Sequence, residues 1–193
     1  MFTCLAFVLN TFVYFPAMAP FQHFVHVLAA ALVGPWYGSA AGALCGVLRM
    51  LCGRDIGSVT GAMFGPILGG LLYRKFGTWW SVWIGEIIGT GIIGAIVSYP
   101  VMTLLWGKEG LSWLFYVPSF ICGTLIGGSI AYVFLRKIAS NGMLARLQNK
   151  LGSQSYTDKS TVLSDALTIA AFGAILFVVI QLASGIFGLT GSV

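Results

Sequence analysis

Apolar residues in this chain fall into six runs, at 2–15, 17–51, 56–73, 79–106, 111–135 and 164–188. A helix needs about 20 apolar residues to cross a bilayer core, so runs of this kind predict membrane-spanning helices. Prolines or charged pairs close the first five runs: Pro16 and Pro20, Arg54 and Asp55, Arg74 and Lys75, Lys108 and Glu109, Arg136 and Lys137. The pattern predicts an all-α integral membrane protein.

The composition excludes a soluble domain. Hydrophobic residues make up 58% of the 193 positions and charged residues only 8%, whereas a soluble domain carries about 25% charge. Disorder requires low hydrophobicity and is excluded as well. The net charge is +5, but the ten Lys and Arg residues form no dense stripe, so we expect no nucleic-acid partner. We therefore expect a multi-pass protein of the cell membrane, surrounded by the lipid bilayer.

The second run is too long for one span. Its last thirty residues would extend about 45 Å as a single helix, well beyond a bilayer core. Gly34-Pro35 lies inside it, and proline removes a backbone donor and disfavours helix at the residue before it. We therefore predict two short helices, at about 20–33 and 36–51. This split also places most basic residues on the cytoplasmic side, as the positive-inside rule requires.

The split gives a six-helix membrane domain over residues 1–137. Residues 138–163 are polar, and within them Leu144, Leu147 and Leu151 share a helical face opposite Arg146 and Lys150. This segment is either a solvated cytoplasmic linker or a linker that contains a short helix lying on the inner leaflet. Residues 164–193 are predicted to form one additional transmembrane helix and a tail.

Glycines recur every four residues in several of the runs. The ladders include Gly34, Gly38, Gly42 and Gly46, then Gly57, Gly61, Gly65 and Gly69, and then Gly85 and Gly89. Small residues at this spacing share one helix face and let two helices approach closely in lipid. The ladders predict either packing within the protein or a docking face for a partner subunit. For docking, the best candidates are Gly34, Gly38 and Gly42.

Polar and aromatic residues inside the predicted spans are candidates for function, because ionisable groups are costly in a membrane. We expect a small-molecule pocket in which seven residues gather at one depth in the outer half of the membrane: Gln22, His23, His26, Arg49, Tyr99, Trp113 and Tyr116. Glu86, about two turns into the fifth helix, is an eighth candidate because it could accept a donor from the ligand. Three alternatives remain open. Trp113 could belong to an interfacial belt, Arg49 could reach lipid phosphate, and Glu86 could pair with a basic residue.

The sequence predicts neither a resident metal nor catalysis. His23 and His26 are three positions apart, but no acidic or thiol residue lies near them in sequence, so we expect no bound metal. HExxH, GxSxG and Walker A motifs are absent from the sequence. We expect no enzymatic activity and no cofactor. Any ATP-driven work would have to come from another chain.

Several blocks of sequence occur together in a known order. They are PFQHFVHVLAA from Pro20, GPWY from Gly34, LRML from Leu48, GAMFG from Gly61 and GEIIGTGIIG from Gly85. In these blocks the chain resembles the ThiW family, over about residues 12–137. ThiW proteins are substrate-binding S components of energy-coupling factor (ECF) vitamin transporters.

The resemblance implies a six-helix S-component fold, here with one extra C-terminal helix. It implies capture of a thiamine precursor, the hydroxyethylthiazole moiety, from outside the cell. A transmembrane T subunit and two cytoplasmic ATPases would then drive its release inside. The polar positions of the family fall on Gln22, His23, Arg49 and Glu86, and the family usually has Asn where His26 stands. The alternative is a membrane scaffold protein that packs through its glycine ladders without a transported ligand.

Overall fold

The computed structural model describes residues 1–12 and 19–152, together with the isolated positions 166, 169, 173 and 180. In residues 1–12 and 19–152 all regular secondary structure is helical. There are seven helices: α1 (Phe2–Phe12), α2 (Pro20–Val33), α3 (Pro35–Leu51), α4 (Gly57–Phe76), α5 (Trp79–Leu104), α6 (Val117–Ser140) and α7 (Met143–Lys150). The predicted span at 164–188 and most of the linker before it lie outside the described residues, apart from those isolated positions.

The break between α2 and α3 falls where the sequence predicted it. Gly34 separates the two helices with a φ of 88°, in the left-handed region that favours glycine. Pro35 opens α3, a position at which its missing N–H would have no helical partner in any case. The apolar run therefore forms two short helices, as the glycine-proline pair indicated.

Two helices are long and apolar enough to cross a membrane by length and composition. They are α5, with 26 residues, and α6, with 24 residues. The apolar helices α1 and α2 are shorter. Together with the low charge of the chain, these helices are consistent with a membrane protein.

The middle of α5 departs from α-helical geometry. Residues Ile87–Gly94 form a π-helical segment, which begins directly after Glu86 and contains Gly89, Gly91 and Gly94. Segments of this type are rare and are frequent at functional sites. The wider turn here immediately follows the one acidic side chain of α5.

The glycine ladders are used for packing inside the bundle. A Cβ atom on Gly89 would lie 2.6 Å from the carbonyl oxygen of Phe64, and one on Gly69 would lie 2.8 Å from that of Val82. Such distances leave no room for a methyl group, so α4 and α5 approach as closely as their backbones permit.

The same holds for α3, whose glycines are the candidates for partner docking. A Cβ on Gly38 would lie 3.2 Å from the backbone nitrogen of Ala30, and one on Gly42 would lie 2.6 Å from the carbonyl oxygen of Ala62. Both glycines are buried, and Gly34 lies against the Arg74 guanidinium. This face of α3 therefore packs on α2 and α4 and is covered by the protein itself.

Helix α7 packs against the bundle and does not lie free on its surface. Leu144 is buried in a core cluster with Leu135, Ile138 and Trp79, at the end of the bundle where α2 ends and α5 begins. Gln148 is fully buried as well. The short amphipathic helix of the polar segment is thus present, and its apolar face meets protein.

Candidate functional site

A buried polar cluster joins α2 to α5. The Nδ1 atoms of His23 and His26 lie 3.0 Å and 3.1 Å from the same carboxylate oxygen, Oε1 of Glu86. The hydroxyl of Thr90 donates a third hydrogen bond to this oxygen, over 3.0 Å. All four side chains are buried. Because a carboxylate oxygen only accepts, each imidazole presents an Nδ1–H to it when Glu86 is ionised.

The sequence explains how two helices supply this cluster. His23 and His26 are three positions apart, so both rings project from one face of α2. Glu86 and Thr90 are four positions apart and share a face of α5 in the same way. The imidazole rings of α2 contact the Glu86 carboxylate of α5 because the two helices pack together inside the bundle.

Glycines from three surrounding helices make room for the cluster. A Cβ on Gly65 in α4 would overlap the Glu86 carboxylate and the Thr90 hydroxyl. A Cβ on Gly42 in α3 would lie 3.0 Å from Nε2 of His26, and one on Gly123 in α6 would lie 3.0 Å from Nε2 of His23. The glycine ladders therefore have a second role, because they form the walls of this polar site.

Two polar atoms of the cluster have no hydrogen-bond partner among the described residues. They are Oε2 of Glu86 and Nε2 of His26, and both are buried. An unsatisfied buried polar atom costs about 1–3 kcal/mol. The cluster therefore retains capacity to bind a further group.

A second polar contact links α2 to the end of α3. The guanidinium of Arg49 donates to the side-chain oxygen of Gln22, and the Gln22 amide nitrogen lies 3.5 Å from the carbonyl oxygen of Ser58. Gln22 is buried, while Arg49 is partly buried. This places Gln22 and Arg49 together, adjacent in sequence to the His23 end of the first cluster.

The aromatic candidates gather near the α5–α6 connection. The rings of Tyr99 and Trp113 are 4.5 Å apart, and Tyr116 contacts Phe120 at 6.0 Å between centroids. Burial, with the Asp55 carboxylate nearby, raises the pKa of the Tyr116 phenol above its ordinary value. The Tyr116 hydroxyl is buried without a partner in the described part of the chain.

Six of the eight predicted residues form two layers along the bundle, and Gln22 and Arg49 form the separate contact described above. Tyr99 follows Glu86 by thirteen positions on α5, which corresponds to roughly 15–20 Å along a helix. The His23–His26–Glu86 cluster is the deep layer, and the aromatic rings form the other layer towards the Asp55 end of the bundle.

Three contributors were missed by the sequence argument. Thr90 lies four positions after Glu86, a spacing that could have indicated a shared helix face. Ser58 contributes through its backbone carbonyl, and Gly65 contributes through the absence of a side chain. The Ser58 carbonyl leaves no sequence signal of its own. The ladder spacing of Gly65 indicates close packing, but not that this glycine faces the cluster.

Comparison with known proteins gives one family. The family model ThiW, described as thiamine-precursor transporter protein, matches residues 1–141. The match spans α1 to α6 and therefore includes every candidate site residue. A search of the curated proteins and a search of the solved structures give no match.

Proposed function

Because the chain belongs to the ThiW family of thiamine-precursor transporter proteins, we propose that it is the substrate-capture subunit of an ECF-type vitamin transporter. It resides in the cell membrane as a multi-pass protein and binds hydroxyethylthiazole from the outer side. A T subunit and two cytoplasmic ATPase subunits supply the energy for uptake. The sequence of this chain contains no Walker A motif, so ATP hydrolysis is assigned to those partners.

The observation that carries the proposal is the buried polar core inside an apolar helical bundle. Gln22, His23, His26 and Glu86 are each less than 9% exposed, and Glu86 and His26 keep one polar atom each without a partner. A hydroxyl group can donate and accept, so the alcohol of hydroxyethylthiazole suits such atoms. The apolar surroundings suit its heteroaromatic ring.

The aromatic layer supports entry from the Asp55 end. The rings of Tyr99 and Trp113 contact each other at a tilt of 40° near the α5–α6 connection, and Trp113 is 57% exposed. An aromatic pair at the mouth can hold the ring of an arriving ligand by stacking. The ligand would then move past it to the deeper polar groups.

Calorimetry on the purified chain tests the ligand. A thiazole alcohol should bind more tightly than the pyrimidine half of thiamine, because its hydroxyl sits on a longer arm and its ring has no exocyclic amine that would need a further partner in apolar surroundings. Glu86→Gln should weaken thiazole binding by about tenfold to over a hundredfold, which corresponds to roughly 1.5–3 kcal/mol for one charge-assisted hydrogen bond. Equal or reversed affinity for the two halves would refute the assignment.

The alternative role as a membrane scaffold finds less support. Its argument rested on open glycine faces, whereas Gly38, Gly42, Gly65 and Gly89 contact neighbouring helices of this chain. Two results together would favour the scaffold role over the transporter role. The chain would bind no thiamine precursor, and it would co-purify stably with other membrane proteins.

A further inference from the structure

The His23–His26–Glu86 cluster has the composition of a transition-metal site. Two imidazoles and one carboxylate converge from α2 and α5, and one ligand atom from each lies within 4.8 Å of the others. All three residues are buried. The sequence analysis predicts no bound metal, because no acidic residue lies near the two histidines along the chain. The fold, however, brings Glu86 next to both of them.

We propose that this cluster binds one divalent transition-metal ion, either Zn²⁺ or Co²⁺. Imidazole nitrogen suits Zn, Co, Ni and Cu, whereas Ca²⁺ and Mg²⁺ prefer a shell made of oxygen atoms. Two His and one Glu make a three-ligand set of the kind that leaves a fourth position open. Such a position would accept water or a small molecule.

The distances are compatible with a shared ion. Zinc bonds to imidazole nitrogen and carboxylate oxygen measure about 2.0–2.2 Å, so two ligand atoms on one ion are up to about 4 Å apart. Nδ1 of His23 and Nδ1 of His26 lie 3.0 Å and 3.1 Å from Oε1 of Glu86. Shifts of less than about 1 Å would therefore bring all three donors onto one ion.

Metal binding requires the proton of each histidine to move from Nδ1 to Nε2. When an ion replaces the two Nδ1 protons, each neutral imidazole carries its proton on Nε2 instead. Metal-bound histidines usually donate this second N–H to a carboxylate, a water or a backbone carbonyl. For His26 we assign this role to the carbonyl of Ala62, although Nε2 does not contact it in the described structure. The oxygen and Nε2 lie 2.6 Å and 3.0 Å from one point, the Cβ position of Gly42, so a change in the tilt of the ring would have to bring them together.

The Ala62 carbonyl is available because of a proline. In an α-helix it would accept the N–H four residues on, but that residue is Pro66, which has no N–H and lies inside α4. A carbonyl without its helical donor thus lies near the ring nitrogen that would need an acceptor. The orphan oxygen Oε2 of Glu86 adds a further donor atom for the ion.

Binding of Co²⁺ to the chelator-treated full chain in detergent tests the proposal. We expect one Co²⁺ per chain, with the intense visible absorption of a four-coordinate ion, and displacement of Co²⁺ by Zn²⁺. His26→Asn and Glu86→Gln should each weaken binding at least tenfold, because loss of an outer-shell partner alone costs about 10–100-fold. Cys52→Ser and Asp55→Asn, which change exposed or partly buried groups elsewhere, should leave it unchanged.

Two results would overturn the proposal. One is Co²⁺ binding that survives both site variants or disappears in Cys52→Ser. The other is an X-ray absorption spectrum of the zinc-loaded wild type without imidazole scattering, which does not depend on any variant folding. The proposal builds on the same site as the proposed function, yet the two fail separately. Thiazole binding to the chelator-treated chain without metal binding refutes only the metal, and metal binding without any thiazole binding refutes only the ligand.

Discussion

The side-chain amide of Gln148 donates a hydrogen bond of 3.0 Å to the backbone carbonyl of Ala31, across 117 positions of sequence. In an uninterrupted helix this carbonyl would accept the N–H of residue 35, but Pro35 has none. Gln148 on α7 therefore supplies the donor that the Gly34-Pro35 break removes. Since α2 also carries His23 and His26, α7 is tied to the helix that holds the deep site.

Replacement of Gln148 tests this contact. Gln148→Met keeps the length of the side chain but removes the donor, so the Ala31 carbonyl is left buried without its partner. We expect a loss of about 1–3 kcal/mol in stability, visible as a lower melting temperature in detergent. Asn149→Met, at an exposed position of the same helix, is the control and should melt like the wild type. Equal melting of the two variants would show that the bond contributes nothing.

Truncation separates the membrane helices from α7. A chain that ends at Gly152 retains every described helix and every candidate site residue, so it should bind ligand as the full chain does. A chain that ends at Lys137 loses Leu144 and Gln148 from the core at the end of α2 and should melt at a lower temperature. Thermal melts together with calorimetry compare the two. If the shorter chain melts at the same temperature as the longer one, α7 does not stabilise the membrane domain, and that domain ends near residue 137.

The course of the helices could be predicted from the sequence, whereas the arrangement of the site could be predicted only in part. The break at Gly34-Pro35 could be predicted because both residues act locally on the backbone. The pairing of His23 and His26 with Glu86 could not be predicted, since it depends on α2 packing beside α5. The same limit applies to the glycines, whose spacing indicates close packing but not which helix they meet. Gly42 and Gly65 face the polar cluster only because α3 and α4 surround it.

The topology follows from which loops share an end of the bundle. Nζ of Lys108 lies 3.4 Å from the Asp55 carboxylate, so the α3–α4 and α5–α6 connections lie at one end. Arg74 lies in the last turn of α4 and belongs to the opposite end. In a chain without its four native cysteines, Lys108→Cys and Asp55→Cys should both react with an impermeant reagent added outside intact cells, whereas Arg74→Cys should react only after lysis. Labelling of Arg74→Cys from outside, with Asp55→Cys and Lys108→Cys reactive only after lysis, would contradict the assignment of α2 and α3 as two separate spans.

The α3 glycines allow a direct choice between internal packing and partner docking. At Gly42 a side chain would meet the Ala62 carbonyl, with 2.6 Å to the first added atom, and the ring of His26 at 3.0 Å. Gly42→Leu should therefore lower the melting temperature and abolish ligand binding, because overpacking alone costs about 1–3 kcal/mol and the His26 ring must also move. Ala40→Leu, two positions earlier on the exposed face of α3, should alter neither property. A Gly42→Leu chain that folds and binds normally but no longer supports uptake would restore the ladder as a docking face for a partner subunit.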